Sequence, residues 1–230
     1  MLTKNNSSKY LFEFLSVFLA VVFAFGLNNW NDNRHELRAE EGILREIANG
    51  LRKDIEDLEL NKSGHQQGLE ACVYWQGLVG GKEAETSKAI QSLGILTRDF
   101  LSVQNRSGYE SLKSRGLHLI RDESLRLEII SLYEFEFHLL SQLEENYAAM
   151  QFHRSYFHPI NDLVSPSLQF GPSGAITGFT LPLALDPPSK NRLWVYLSKI
   201  AAGRLNMMLL YTSAKDRAEE LVSRIESQLQ

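Results

Sequence analysis

The sequence predicts an all-α protein: an N-terminal transmembrane helix continuing into a long amphipathic helix and a helical bundle. Three observations predict it. Leu11 to Leu27 is an apolar run interrupted only by Glu13 and Ser16. Apolar residues then recur three or four apart through most of the chain, the helical period. No region shows the repeated apolar–polar alternation of a strand-rich fold. The chain divides into a tail at 1–10, an anchor at 11–30 and a helical domain at 31–230, with a Pro/Gly-rich insertion at 165–190.

As a helix rising about 1.5 Å per residue, Leu11–Leu27 covers most of a hydrocarbon core about 30 Å thick. Lys4, Lys9 and Tyr10 precede it, and Asn28, Asn29, Trp30, Asn31 and Asp32 follow. An aromatic residue beside polar ones at each end suits anchoring at both interfaces. The rival reading is a cleaved signal sequence, with Ala24-Phe25-Gly26 near the cut. The run exceeds the usual h-region of ~7–15 residues, and Phe25 and Leu27 are bulky, so the anchor is preferred. Lys4 and Lys9 on one flank nearly balance Arg34, Arg38 and Arg45 on the other. The side of the domain is therefore undetermined, with a slight lean to a periplasmic body.

Glu13 lies two residues into the run, where the first turn of a helix favours an acid and an interfacial carboxylate can reach water. Ser16, Ala20 and Ala24 recur every four residues, a register that permits close helix approach. Together with Trp30, these are the residues that would line or rim an oligomeric bundle.

Beyond the anchor, Asp32 to Leu78 reads as one helix with an apolar stripe of Leu44, Ile47, Leu51, Ile55 and Leu58. The stripe has two readings, packing on the chain's own later helices or pairing with a partner or second copy. Gly80-Gly81 ends this helix, and Lys82–Thr86 is a polar loop. A second helix is expected from Ser87 to Phe100 or Val103, and a long helical stretch from Asp122-Glu123 to about Leu163. Residues 165–190 hold five of the six prolines and read as a lid or a disordered excursion. A last helix is expected from Ser189 to Leu229. Lys199, Arg204 and Asn206 interrupt its apolar start, so it reads as a core helix and not a second anchor.

Composition narrows the function. The 230 residues carry a net charge of -4, well mixed, which argues against nucleic acid as a partner. A single cysteine, Cys72, excludes an internal disulfide framework and any cysteine-rich metal site. No phosphate-cradling loop, HExxH or nucleophile elbow occurs. Glu134 and His138 share a helix face, but at a spacing that does not match the Glu-x-x-His of inward-facing di-metal sites. His153 and His158 frame an aromatic cluster before Pro159, which reads as packing at a helix end. Neither a cofactor nor a metal is expected, and the reading is non-enzymatic.

Two segments resemble a known family. Glu13 to Asn31, with FGLNNWNDNR ending at Arg34, and Ser107 to Gly116, SGYESLKSRG, followed by Ile120, Asp122 and Leu125, are similar to DUF6090. Those are uncharacterised bacterial single-pass membrane proteins; Phe25-Gly26 departs from the family's usual Leu-Gln. The resemblance implies a single-pass protein of the bacterial inner membrane and no activity. In physical terms Tyr109 can pack on the bundle while Glu110, Lys113 and Arg115 offer a docking surface. The expected function is self-association or docking of a protein partner at the bilayer. The alternative is an oligomeric effector that forms a pore or perturbs the membrane.

Overall fold

A computed structural model describes residues 7–83 and 85–230, with side chains described from Tyr10 onward. Nothing interrupts the first helix. α1 runs from Ser7 to Val79, 73 residues with no proline, so the apolar run and the amphipathic stretch are one continuous rod. At about 1.5 Å per residue it is about 110 Å long. Tyr10 through Arg38 is solvent-exposed throughout, and the first buried residue is Glu40. The apolar run is therefore packed on nothing among the described residues, and α1 is long and apolar enough to cross a membrane.

The body assembles on the remainder of α1. α2 (Thr86–Leu96), α3 (Ser107–Arg115), α4 (Glu123–Ser131), α5 (Phe137–Asn146), α6 (Phe152–Val164) and α7 (Pro187–Gln228) follow in order. α7 packs antiparallel along α1, with Lys215 bridging to Glu59 at 2.8 Å and Arg52 paired to Glu226. Asp186 caps α7, accepting from the Ser189 amide at 2.8 Å, with Pro187 in the first turn where a missing N–H is harmless. Gly81 (φ 94°) and Gly116 (φ 102°) turn the chain at the ends of α1 and α3 in a conformation that β-carbons disfavour.

Four boundaries differ from the expectation. α2 stops at Leu96, and Thr97–Arg106 forms a strap without helical structure. The stretch after Asp122 is not one helix: a π turn at Leu132–Glu136 separates α4 from α5, and Tyr147–Gln151 separates α5 from α6. The π turn bonds the Phe137 amide to the Leu132 carbonyl, so both of those residues as well as Tyr133 are buried, Tyr133 stacking on Tyr109 at 4.6 Å. The 165–190 segment is ordered. It forms a short hairpin, β1 (Leu168–Phe170) against β2 (Ile176–Phe179), antiparallel with Leu168 opposite Phe179. Phe179 meets the Trp75 ring edge-on at 5.5 Å.

Two apolar cores lie in line along α1. The one nearer the apolar run gathers Leu44, Ile47, Leu51 and Leu58 with Tyr109, Leu112, Ile129, Phe137, Tyr211 and Leu221. The far one gathers Cys72, Trp75 and Leu78 with Leu96, Phe152, Ile160, Leu193 and Ile200. Buried polar groups accompany them, Asp54 and Glu144 beside the near core, and His65 and Arg204 between the two.

Candidate functional site

The strap explains the buried polar groups. An extended segment crossing a helical body has backbone amides with no ladder to join, and buried amides require acceptors. Carboxylates supply them. Glu144 accepts from the Ser102 amide at 3.2 Å and hydroxyl at 2.9 Å, Asp57 from Val103 at 2.9 Å, and Asp54 from Asn105 at 2.6 Å. Tyr211 donates its hydroxyl to Glu144 as well. Burial pushes the Asp54 carboxyl up to about 6 against the opposing Asn105 bond, with Asp57 adding to the rise. Burial also raises Glu144, although Tyr211 and Ser102 pull the other way.

Arg204 holds the beginning of the same strap. Its Nη2 donates to the carbonyls of Ile95 at 3.3 Å and Leu96 at 3.0 Å at the C-terminus of α2, and of Arg98 at 3.0 Å in the strap. The guanidinium lies 4.4 Å from the Phe152 ring centroid and 5.6 Å from that of Phe100. No carboxylate pairs with it among the described residues; carbonyl dipoles and ring faces do that work. Burial lowers Arg204 to about 10, which leaves it charged at neutral pH. His65 Nδ1 lies 3.4 Å from Arg204 Nη1. Arginine only donates, so Nδ1 accepts and the ring proton sits on Nε2. Desolvation first, and Arg204 second, depress His65 to about 3, so it stays neutral. Burial likewise raises the Cys72 thiol to about 11. Asp54, Glu144, Arg204, His65 and Cys72 are buried, and the first three bond the strap. These buried polar groups are the feature that periodicity in the sequence does not reveal; Arg204 inside an apolar stretch is their one visible trace.

The recess open to solvent lies at the far end of the body, between α1 and α2. A groove of about 720 Å³ is walled by Leu69, Val73, Tyr74 and Ile95, with Lys82, Lys88, Glu70 and Glu83 also lining it. Lys88 stands over the Tyr74 ring at 5.2 Å. Neither lysine has a carboxylate within ion-pair distance among the described residues.

The structure redistributes the predicted site residues. Leu44, Ile47, Leu51 and Leu58 are fully buried against α3, α5 and α7, with Ile55 partly buried at their edge. That corrects the expectation of a partner face: the stripe is occupied by the chain's own core. Tyr109 is buried too, stacked on Tyr133. Glu110, Lys113 and Arg115 are exposed; Lys113 bridges Glu110 at 2.9 Å and Glu134 at 3.4 Å. Glu134 thus belongs to a surface ion network, and His138 is exposed beside it. On the anchor, Glu13, Ser16, Ala20, Ala24 and Trp30 are exposed, and Ser16 spends its hydroxyl on the Glu13 carbonyl at 2.8 Å. Lys4 lies outside the described residues, and so does the Lys9 side chain. No family model, no curated protein and no solved structure matches this chain.

Proposed function

We propose that this chain is a non-enzymatic, membrane-anchored helical module of the bacterial inner membrane that docks a protein partner. One observation carries the reading: the helix that contains the exposed apolar run is the same unbroken helix that builds the wall of the α1–α2 groove. The likeness of residues 13–34 and 107–116 to DUF6090 supports the single-pass topology. A non-enzymatic role is supported by the shifted groups Asp54, His65, Glu144 and Arg204, which bond the strap and its surroundings inside the body and face no opening.

The occupant proposed for the groove is an amphipathic helix of the partner. Its apolar stripe would cover Leu69, Val73, Tyr74 and Ile95, and its carboxylates would meet Lys82 and Lys88, which form no ion pair among the described residues. The test is site-specific photocrosslinking from position 73 in native membranes. A discrete adduct that disappears in Lys82→Glu/Lys88→Glu supports the reading. An adduct of twice the chain mass replaces the partner with a second copy, and the absence of any adduct sinks the groove as a docking site.

A further inference from the structure

Between the apolar run and the body, α1 leaves a short exposed stub, Asn28–Arg38. The body reaches down beside it. Arg121, in the loop before α4, donates to Asn33 Oδ1 at 2.5 Å and to Glu36 Oε2 at 3.3 Å, and its amide donates to Glu40 at 2.9 Å. These ties hold the body within about one helical turn of Trp30, the aromatic residue at the end of the run.

The charges on the stub divide in two. The acids are engaged: Asp32 accepts from Asn28 at 2.9 Å, and Glu36 and Glu40 take Arg121. Arg34 and Arg38 have no carboxylate partner among the described residues. Trp30, Arg34 and Arg38 are four apart and form one stripe on the helix. Helical side chains lean toward the N-terminus, which here is toward the apolar run. Arg34 shows that lean, its guanidinium 5.5 Å from the Trp30 ring centroid. Arg34 sits about 6 Å and Arg38 about 12 Å beyond Trp30 along the axis. Glu41, an acid with no ion-pair partner among the described residues, is about 16 Å beyond it, one turn farther out than Arg38.

We propose that Arg34 and Arg38 bind the phosphate groups of anionic phospholipids, making the stub an anionic-lipid site that seats the body on the bilayer surface. Guanidinium forks match phosphate oxygens bidentately, and Arg121 engages Glu36 and Glu40, leaving Arg34 and Arg38 to face outward partners. The assignment rests on the reading of Leu11–Leu27 as a membrane span.

The experiment uses the full chain in vesicles of equal parts phosphatidylcholine and phosphatidylglycerol. Spin-labelled versions of each lipid report its relative association with the protein. A basic residue at the surface contributes about 1 kcal/mol toward anionic lipid, which is about fivefold, so Arg34→Gln/Arg38→Gln should lose most of a preference for phosphatidylglycerol that the wild type shows. Arg192→Gln, at the start of α7 beyond the groove, should keep it. Added salt should weaken it. Equal association of both lipids with the wild type, or an unchanged preference in the double variant, overturns the proposal. Alkaline extraction of the same vesicles separates the two readings: release of the chain would overturn the span itself, whereas retention without lipid preference overturns only the role of the arginines.

Discussion

Gly68 and Arg204 fit each other across the α1–α7 interface: a β-carbon on Gly68 would stand 2.2 Å from the Arg204 guanidinium carbon. One helix gives up its side chain so that the other can carry a buried cation to the end of α2. The pairing makes the region between the two cores the most exacting part of the body.

Replacing Gly68 with alanine should therefore destabilise the protein by about 2–4 kcal/mol, because the guanidinium cannot retreat without dropping three carbonyls. Helix propensity alone predicts the opposite sign. Gly42 is the control. Nothing lies within 4 Å of its added β-carbon, so Gly42→Ala should stabilise by about 0.5–1 kcal/mol. Urea melts of the two variants compare the signs directly.

Arg204→Met keeps much of the volume and removes the donors. The carbonyls of Leu96 and Arg98 would then lose their side-chain donor, while Ile95 keeps the Arg98 amide, at a cost of about 2–4 kcal/mol. Hydrogen exchange should show the loss first in α2 and the strap, ahead of α4. Uniform loss of protection across both cores would contradict a local role for this side chain.

Asp54 and His65 shift stability with pH in opposite senses. Asp54 is raised from 3.8 to about 6, so its contribution is full below about pH 4 and is lost as pH rises through about 6. His65 is lowered from 6.5 to about 3, so its contribution is present above about pH 6.5 and is lost as pH falls toward 3. Asp54→Asn keeps an oxygen for the Asn105 amide and removes the first effect. Relative to wild type it should gain about 1–2 kcal/mol between pH 4 and 6, then hold level. A wild-type-minus-variant difference that stays flat from pH 4 to 7 would count against a raised Asp54.

The three tryptophans test the placement of the anchor. Trp30 is exposed at the end of the apolar run, while Trp75 is buried and donates its indole N–H to Ser92 at 3.0 Å. In vesicles, a variant retaining only Trp30 should be quenched by lipids brominated near the carbonyl more than by lipids brominated at mid-chain. A variant retaining only Trp75 should be quenched by neither.

The sequence made parts of this architecture readable and hid others for physical reasons. The apolar run and the stripe from Leu44 to Leu58 are local patterns, so helix period alone placed them on α1. What covers that stripe is not local: α7 returns more than a hundred residues later, which is why a partner face and an internal core looked alike. The strap was invisible because its amides are satisfied by Asp54, Asp57 and Glu144, up to some fifty residues away along the chain. The hairpin at 168–179 is too short for its alternation to stand out. In the sequence Arg204 is only an interruption of an apolar stretch; the fold turns it inward.

The unbroken α1 makes the protein a lever. The groove wall at Tyr74 stands about 65 Å beyond Trp30 along a helix with no hinge. A span that tilts by about 20° to match its bilayer swings that wall sideways by about 20 Å. With the apolar run in a bilayer, as proposed, membrane thickness would thus set where the far end of the body points, and the partner proposed for the groove would feel it.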